Sequence, residues 1–316
     1  MQKIEREDIQ IISRNSSWSE EGVSKALKDH IYNGLPAFKR FLRLLLLGVG
    51  TSFTLAGVIF FFAYNWADLH KFIKLGLVEG LIVIITLSAL FVKTKALFKN
   101  LLLTAAAVLV GVLFAVFGQV YQTGANAYDF FLGWTIFIAL WAIIANFAPL
   151  WVLFIGLVNI TLVLYAEQIA HGWSEMFVFA LLFGINLLFL VLFLWLPKTL
   201  SKIDFPVWFT NLLALATVLC GTIGLINGIF ENFQVSSIIL FLMALVAYAF
   251  GIWYGLKIKK VYYPAIIAFS AIIIVSAFLM NISEDAAMLF AIGLFIIVSV
   301  TLLIVFLIKL QKKWAN

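Results

Sequence analysis

The chain has 316 residues, 65% hydrophobic and 11% charged, with a mean hydropathy of +1.13 and a formal net charge of +6. Soluble domains hold about 45–50% apolar and roughly 25% charged residues, so this composition excludes an ordinary soluble fold and predicts an all-α polytopic membrane protein. The positive excess is then a matter of loop distribution rather than of nucleic acid, for which no motif is present. A single cysteine, Cys220, excludes a disulfide framework and a thiol metal site.

The first stretch, "MQKIEREDIQIISRN", is polar and acidic where a cleavable signal would be basic and then apolar, so nothing is expected to be removed and the first span is expected to serve as the insertion signal. In "SWSEEGVSKALKDHIYNGLP", Ser17 and Glu20 have capping-box spacing, and Val23, Ala26, Leu27, His30 and Ile31 recur at helical intervals. This predicts an amphipathic helix that stops at Asn33-Gly34 and Pro36, with His30 as a packed histidine. Residues 1–40 are too few to bury a core, so the apolar face is expected to dock on the inner face of the membrane domain. The alternatives are a protein partner, the lipid surface, or the preceding helix near Ile9 and Ile12.

Backbone groups in lipid must bond one another, and a core of about 30 Å needs around 20 helical residues. Ten segments qualify: 41–65, 75–92, 101–118, 130–147, 150–166, 176–196, 207–226, 237–256, 264–281 and 286–308, with residues 309–316 as a basic tail. The apolar run from 130 to 166 is too long for one span, and "NFAP" offers Pro149 as a first-turn residue, so the run is divided into a hairpin. Every Lys and Arg except Lys71 and Lys74 falls before the first span, in the even-numbered loops (Lys93, Lys95, Lys99, Lys198, Lys202, Lys257, Lys259, Lys260) or in the tail. That places both termini in the cytoplasm. Trp66, Trp134 and Trp173 fall near outer helix ends, and Trp151, Trp195, Trp208 and Trp253 near inner ones, where amphipathic rings prefer the headgroups.

Between the third and fourth spans, "FGQVYQTGANAYDFFLGW" gathers Gln119, Tyr121, Gln122, Asn126 and Asp129 with no Lys or Arg. Together with "GVIFFFAYNWADLHKFIKL" at Gly57 to Leu75, this stretch resembles the bacterial membrane-protein family catalogued as domain of unknown function number 2157. Members show an Asn-Trp after the first span and a Gly-x-x-Tyr-Gln-Thr-Gly-Ala-Asp/Asn run after the third; here these are Asn65-Trp66 and Gly118 through Asn126. The likeness covers roughly the first 150 residues. It implies a bacterial inner-membrane protein with a short cytoplasmic N-terminal segment, and it brings no activity with it.

Glu79, in "KLGLVEGLIVI", is the acidic residue set well inside a span, where a charge costs a few kcal/mol unless paired, neutralised or near the interface. Gly76 and Gly80 beside it form a small-xxx-small pair that would admit a neighbouring helix. Counted from Leu75, Glu79 lies about 6 Å deep, level with Asn65 and Gln119. On the third span Gly111, Ala115, Gly118 and Gln122 follow one stripe toward the polar stretch. The expectation is an outward-facing polar cluster of Asn65, Glu79, Gln119, Tyr121, Gln122, Asn126 and Asp129 that takes a small solute. The competing expectation is that these side chains satisfy helix ends and bond Glu79 internally.

Glu167, His171 and Glu175 have metal-ligand spacing, but Gly172 interrupts them and a solvated loop anchored by Trp173 is expected. Asn159, Asn186, Asn211 and Asn227 read as interhelical hydrogen bonds. No phosphate loop, zinc-protease helix or nucleophile elbow occurs, so no enzyme, cofactor or metal is expected. Two functions remain: a small-solute transporter or channel-like protein, and a non-transporting membrane scaffold or sensor that binds a protein partner through the N-terminal helix or the outer pocket. A sealed cytoplasmic half would favour the scaffold.

Overall fold

The computed structural model describes residues 6–31, 35–64, 70–93, 95–121, 124, 126–199, 205–231, 235–283 and 285–315. Asn65, Trp66, Asp68, Gln122, Lys202 and Glu284 lie outside the described residues, as do the side chains of His30 and Ile31. The described chain is helical throughout: α1 (Arg6–Arg14), α2 (Glu20–Ala26), a π-helical turn (Leu27–Ile31), α3 (Leu35–Tyr64), α4 (Lys71–Phe91), α5 (Ala96–Tyr121), α6 (Ala127–Ala145), α7 (Ala148–Gln168), α8 (Glu175–Thr199), α9 (Val207–Phe230), α10 (Val235–Lys257), α11 (Tyr262–Ile282) and α12 (Ala286–Ala315). Ten of these, α3 to α12, are long and apolar enough to cross a membrane. The protein is an all-α polytopic membrane protein.

Two compact units divide the chain, one of residues 1–60 with 306–316 and one of residues 61–305. In the first, α1 packs against α2 and the π-helical turn, and Ile9 is buried there. The cap of α2 is Ser19, not the expected Ser17. Ser19 is extended, so its Oγ reaches the Gly22 N–H, which donates to it at 3.2 Å, and the Trp18 ring lies over Gly22. Val23, Ala26 and Leu27 are half-buried, but the helix passes into the π-helical turn from Leu27 instead of running on as α-helix. The first span begins at Leu35 rather than near residue 41, and its most apolar stretch contains no buried residue. The last helix runs on through the basic tail to Ala315.

In the second unit, α4 to α7 form a meander in which each helix packs on the next. From α8 to α11 the packing interlocks: α9 meets α8 and α11, while α10 touches α8, α9 and α11. Alternate loops of this unit thus form two rims. The basic rim carries Lys93, Lys95, Lys99, Lys257, Lys259 and Lys260; the opposite rim carries Tyr121, Asp129, Gln168 and Glu175.

The predicted hairpin between the fourth and fifth spans is present. Asn146 closes α6 with φ 44°, a left-handed conformation that Asn tolerates, and Pro149 lies in the first turn of α7, where a missing N–H costs nothing. The α10–α11 turn closes in a similar way. Lys260 N–H donates to the Gly255 carbonyl at 2.9 Å, and a Cβ on Gly255 would come within 2.5 Å of the Pro264 ring.

Small residues set the contact between α5 and α6. Gly111 leaves a space filled by the Trp134 ring, whose Nε1–H donates to the Ala107 carbonyl at 2.7 Å. Gly118 receives Phe130 in the same way, and Gly133 receives Phe114. Trp134 is therefore an interior packing residue, about 10 Å along α6, and not the headgroup anchor expected from its place in the sequence. Trp195, Trp208 and Trp253 are exposed near helix ends at the basic rim, where interfacial tryptophans belong.

Candidate functional site

At the opposite rim, the described part of the polar stretch is absorbed into helix ends. Gly124 takes φ 66° between α5 and α6, a conformation that favours glycine. Asp129 Oδ2 accepts from the Asn126 backbone N–H at 3.1 Å, the returning half of a capping box. Next to it the Tyr128 N–H, one of the unbonded donors of the first turn of α6, donates to Gln168 Oε1 at the end of α7 across 3.0 Å. Tyr128 then begins an aromatic chain: its ring meets Tyr165 at 5.3 Å, Tyr165 meets Trp173 at 5.4 Å, and Trp173 meets Phe177 at 5.0 Å. This ties together the ends of α6, α7 and α8.

Tyr121 lies 4.7 Å from Phe117, and the Lys71 ammonium of α4 approaches the Tyr121 ring at 6.0 Å. Gln119 is exposed on the last turn of α5. One residue of this rim escaped the sequence reading. Lys74, which the sequence sets apart only as one of two basic residues on this side, is buried on the same stripe of α4 as Val78, the stripe that faces the core; its i, i+4 relation to Val78 is the signal that could have located it.

Glu79 lies at a different depth from the described members of this group. Because α4 starts at Lys71, the carboxyl lies about 12 Å along the helix, near its midpoint, instead of about 6 Å deep. It is also exposed, on a different side of α4 from buried Lys74 and Val78. Among the described residues of this unit, a Cβ built on Gly76 or Gly80 would meet no atom within 4 Å. Among the described residues no hydrogen bond joins Glu79 to the 118–129 stretch. Asn65 and Gln122, the remaining members of the predicted cluster, lie outside the described residues.

A second polar site lies at mid-depth. Asn186, almost fully buried near the middle of α8, donates to Asn159 Oδ1 on α7 at 2.6 Å, and Asn159 returns a longer bond of 3.3 Å. Each amide also donates to the carbonyl four residues back, at 2.8 Å for Asn186 and 2.7 Å for Asn159. Cys220 Sγ of α9 is 3.9 Å from Asn186 Nδ2. This trio lines a groove of about 540 Å³ between α7 and α9, otherwise walled by aliphatic side chains such as Ile155, Val163, Leu212 and Leu219. The expected interhelical role thus holds for Asn159 and Asn186. Asn211 instead offers its backbone carbonyl to Tyr262 OH at 2.9 Å.

Below the amide pair, toward the basic rim, the space between α7, α8 and α9 is filled. Phe193 and Phe209 are fully buried and meet at 4.9 Å; Trp151, Phe205 and Phe189 pack around them. Glu167, His171 and Glu175 are exposed and divided between α7, the following turn and α8, so no single helix presents them together. No group of three or more metal-ligating side chains occurs among the described residues.

Residues 17–151 match the family model described as predicted membrane protein DUF2157. The matched region takes in α2 to α6 and ends in the first turn of α7, so the amide pair, Phe193, Phe205, Phe209 and α8 to α12 lie beyond it. The resemblance read from Asn65-Trp66 and Gly118 to Asn126 falls inside the matched region. No curated protein and no solved structure matches the chain.

Proposed function

We propose that this is a non-transporting scaffold or sensor of the bacterial inner membrane, with both termini cytoplasmic, which engages a protein partner through its N-terminal segment. The observation that carries this reading is the close aromatic packing of Phe193, Phe209, Trp151 and Phe205 below the Asn159–Asn186 pair. A solute path needs polar groups or water along its length, and at this level α7, α8 and α9 offer aromatic rings packed mainly edge to face. The N-terminal segment supports the same reading, because Ile11, Ile12 and Trp18 stay exposed after Ile9 is buried. Exposed aromatic and aliphatic side chains of this kind are the usual anchors of a protein contact.

A small-solute transporter is the second reading, and Glu79 is what favours it, as a carboxyl near the midpoint of a span. Cys220, beside the amide pair, separates the two. In sealed vesicles a membrane-impermeant maleimide added to either face should leave Cys220 unlabelled, with labelling appearing only after denaturation. Labelling of Cys220 in the intact membrane from either side would reveal water at mid-depth and overturn the scaffold reading.

A further inference from the structure

The Ser237 hydroxyl is buried, with the residue 5% exposed, and its Oγ has no hydrogen-bond partner among the described residues. A hydroxyl left unbonded away from water costs roughly 1–3 kcal/mol, so its persistence needs a reason. Ser237 lines a cavity of about 310 Å³ between α9, α10 and α11, whose other walls include Gly224, Gly228, Phe241, Ile274, Val275 and Phe278. Apart from this hydroxyl the walls are aliphatic or aromatic side chains and glycine.

Depth identifies what the cavity fits. The 23 residues of α10 measure about 34 Å at 1.5 Å per residue, slightly more than a hydrocarbon core of about 30 Å. Ser237 lies two residues inside the start of α10, about 3 Å along it, which is the hydrocarbon boundary. Phe241 lies about 9 Å in, and on α11 Phe278 and Ile274 lie about 6 and 12 Å from the same rim. The cavity therefore has one hydrogen-bond donor at the boundary and an apolar slot running inward from it. An ester-linked glycerolipid has the complementary order of groups, an ester carbonyl at the boundary followed by an acyl chain.

We propose that this cavity holds one acyl chain of a diacyl glycerolipid from the leaflet at the opposite rim, with Ser237 Oγ–H donating to the ester carbonyl. The contact is a hydrogen bond and no covalent step is involved. A donor that an ether oxygen meets poorly and an ester carbonyl meets well makes the site selective for linkage chemistry.

Native mass spectrometry of the full chain in detergent tests this with two probes, a palmitoyl-oleoyl phosphatidylethanolamine and its dialkyl ether analogue. The wild type should retain one ester lipid and prefer it over the ether by roughly 2- to 12-fold, the range expected for one net hydrogen bond. Ser237→Ala should erase that preference while still retaining lipid, and Val275→Trp, which fills the slot, should lower retention of both lipids by more than tenfold. Equal retention of ester and ether by the wild type would overturn the hydroxyl–carbonyl contact. Undiminished retention by a folded Val275→Trp would overturn the cavity itself, as would disulfide formation between copies carrying Val275→Cys in a Cys220→Ala background, which would show a second copy seated there.

Discussion

Asn186 on α8 and Asn159 on α7 hold each other by reciprocal amide hydrogen bonds of 2.6 and 3.3 Å at the middle of their helices. This pair spans the seam between the α4–α7 meander and the interlocked α8–α11 group. Replacing either Asn by Ala strands the partner amide, whereas replacing both removes donor and acceptor together. A double-mutant cycle, followed by unfolding in mixed micelles with an anionic detergent, should give a coupling of about 0.5–2 kcal/mol. Strict additivity would show that the pair contributes nothing to the seam.

Gly111 and Trp134 are coupled by space. A Cβ at position 111 would come within 2.5 Å of the indole, so Gly111→Ala should lower stability by about 1–3 kcal/mol through overpacking. Trp134→Phe alone loses the bond to the Ala107 carbonyl, at a cost of about 0.5–1.5 kcal/mol, yet in the Gly111→Ala background it makes room. The same unfolding assay should therefore find the double variant more stable than the sum of the single effects.

The cap of α2 distinguishes two serines. Ser19→Ala should raise hydrogen exchange of residues 20–26 by an amount equivalent to about 0.5–2 kcal/mol, while Ser17→Ala should leave it unchanged. Equal effects at the two positions would return the cap to Ser17.

Reporter fusions test the orientation assigned to the rims. Fusions after Lys99, Lys257 and Ala315 should report from one side of the membrane, and fusions after His171 and Glu231 from the other. A shared signal from His171 and Lys257 would break the ten-span order.

The spans were legible because lipid enforces a length and an apolar composition that survive in any single sequence. The Asn146–Pro149 hairpin was legible too, since Pro permits a helix start and Asn a left-handed stop. Span limits were less so: Lys71 and Lys309 were assigned to a loop and to the tail by charge, yet both lie inside helices, because long basic side chains can reach the headgroups from near a helix end. The site was read poorly for a related reason. Glu79 and Gly80 look alike in any span, and only the burial of Lys74 and Val78 shows which side of α4 faces the core. The polar stretch admits both a pocket and a set of helix caps because capping and ligand binding draw on the same side chains.

The boundary of the family match cuts across a packed surface. Ala107 and Val110 on α5 and Ile138 and Ala142 on α6 share one buried cluster with Leu150 and Leu157 on α7, but the matched residues stop at Trp151. A fragment ending there would keep Leu150 and lose Leu157, leaving a bare apolar stripe on α5 and α6. A chain that joined this N-terminal portion to a different continuation would therefore have to supply a helix with its own aliphatic residue at the level of Leu157. In modular terms, the matched segment is an open half-joint, and its first requirement of whatever follows is shape.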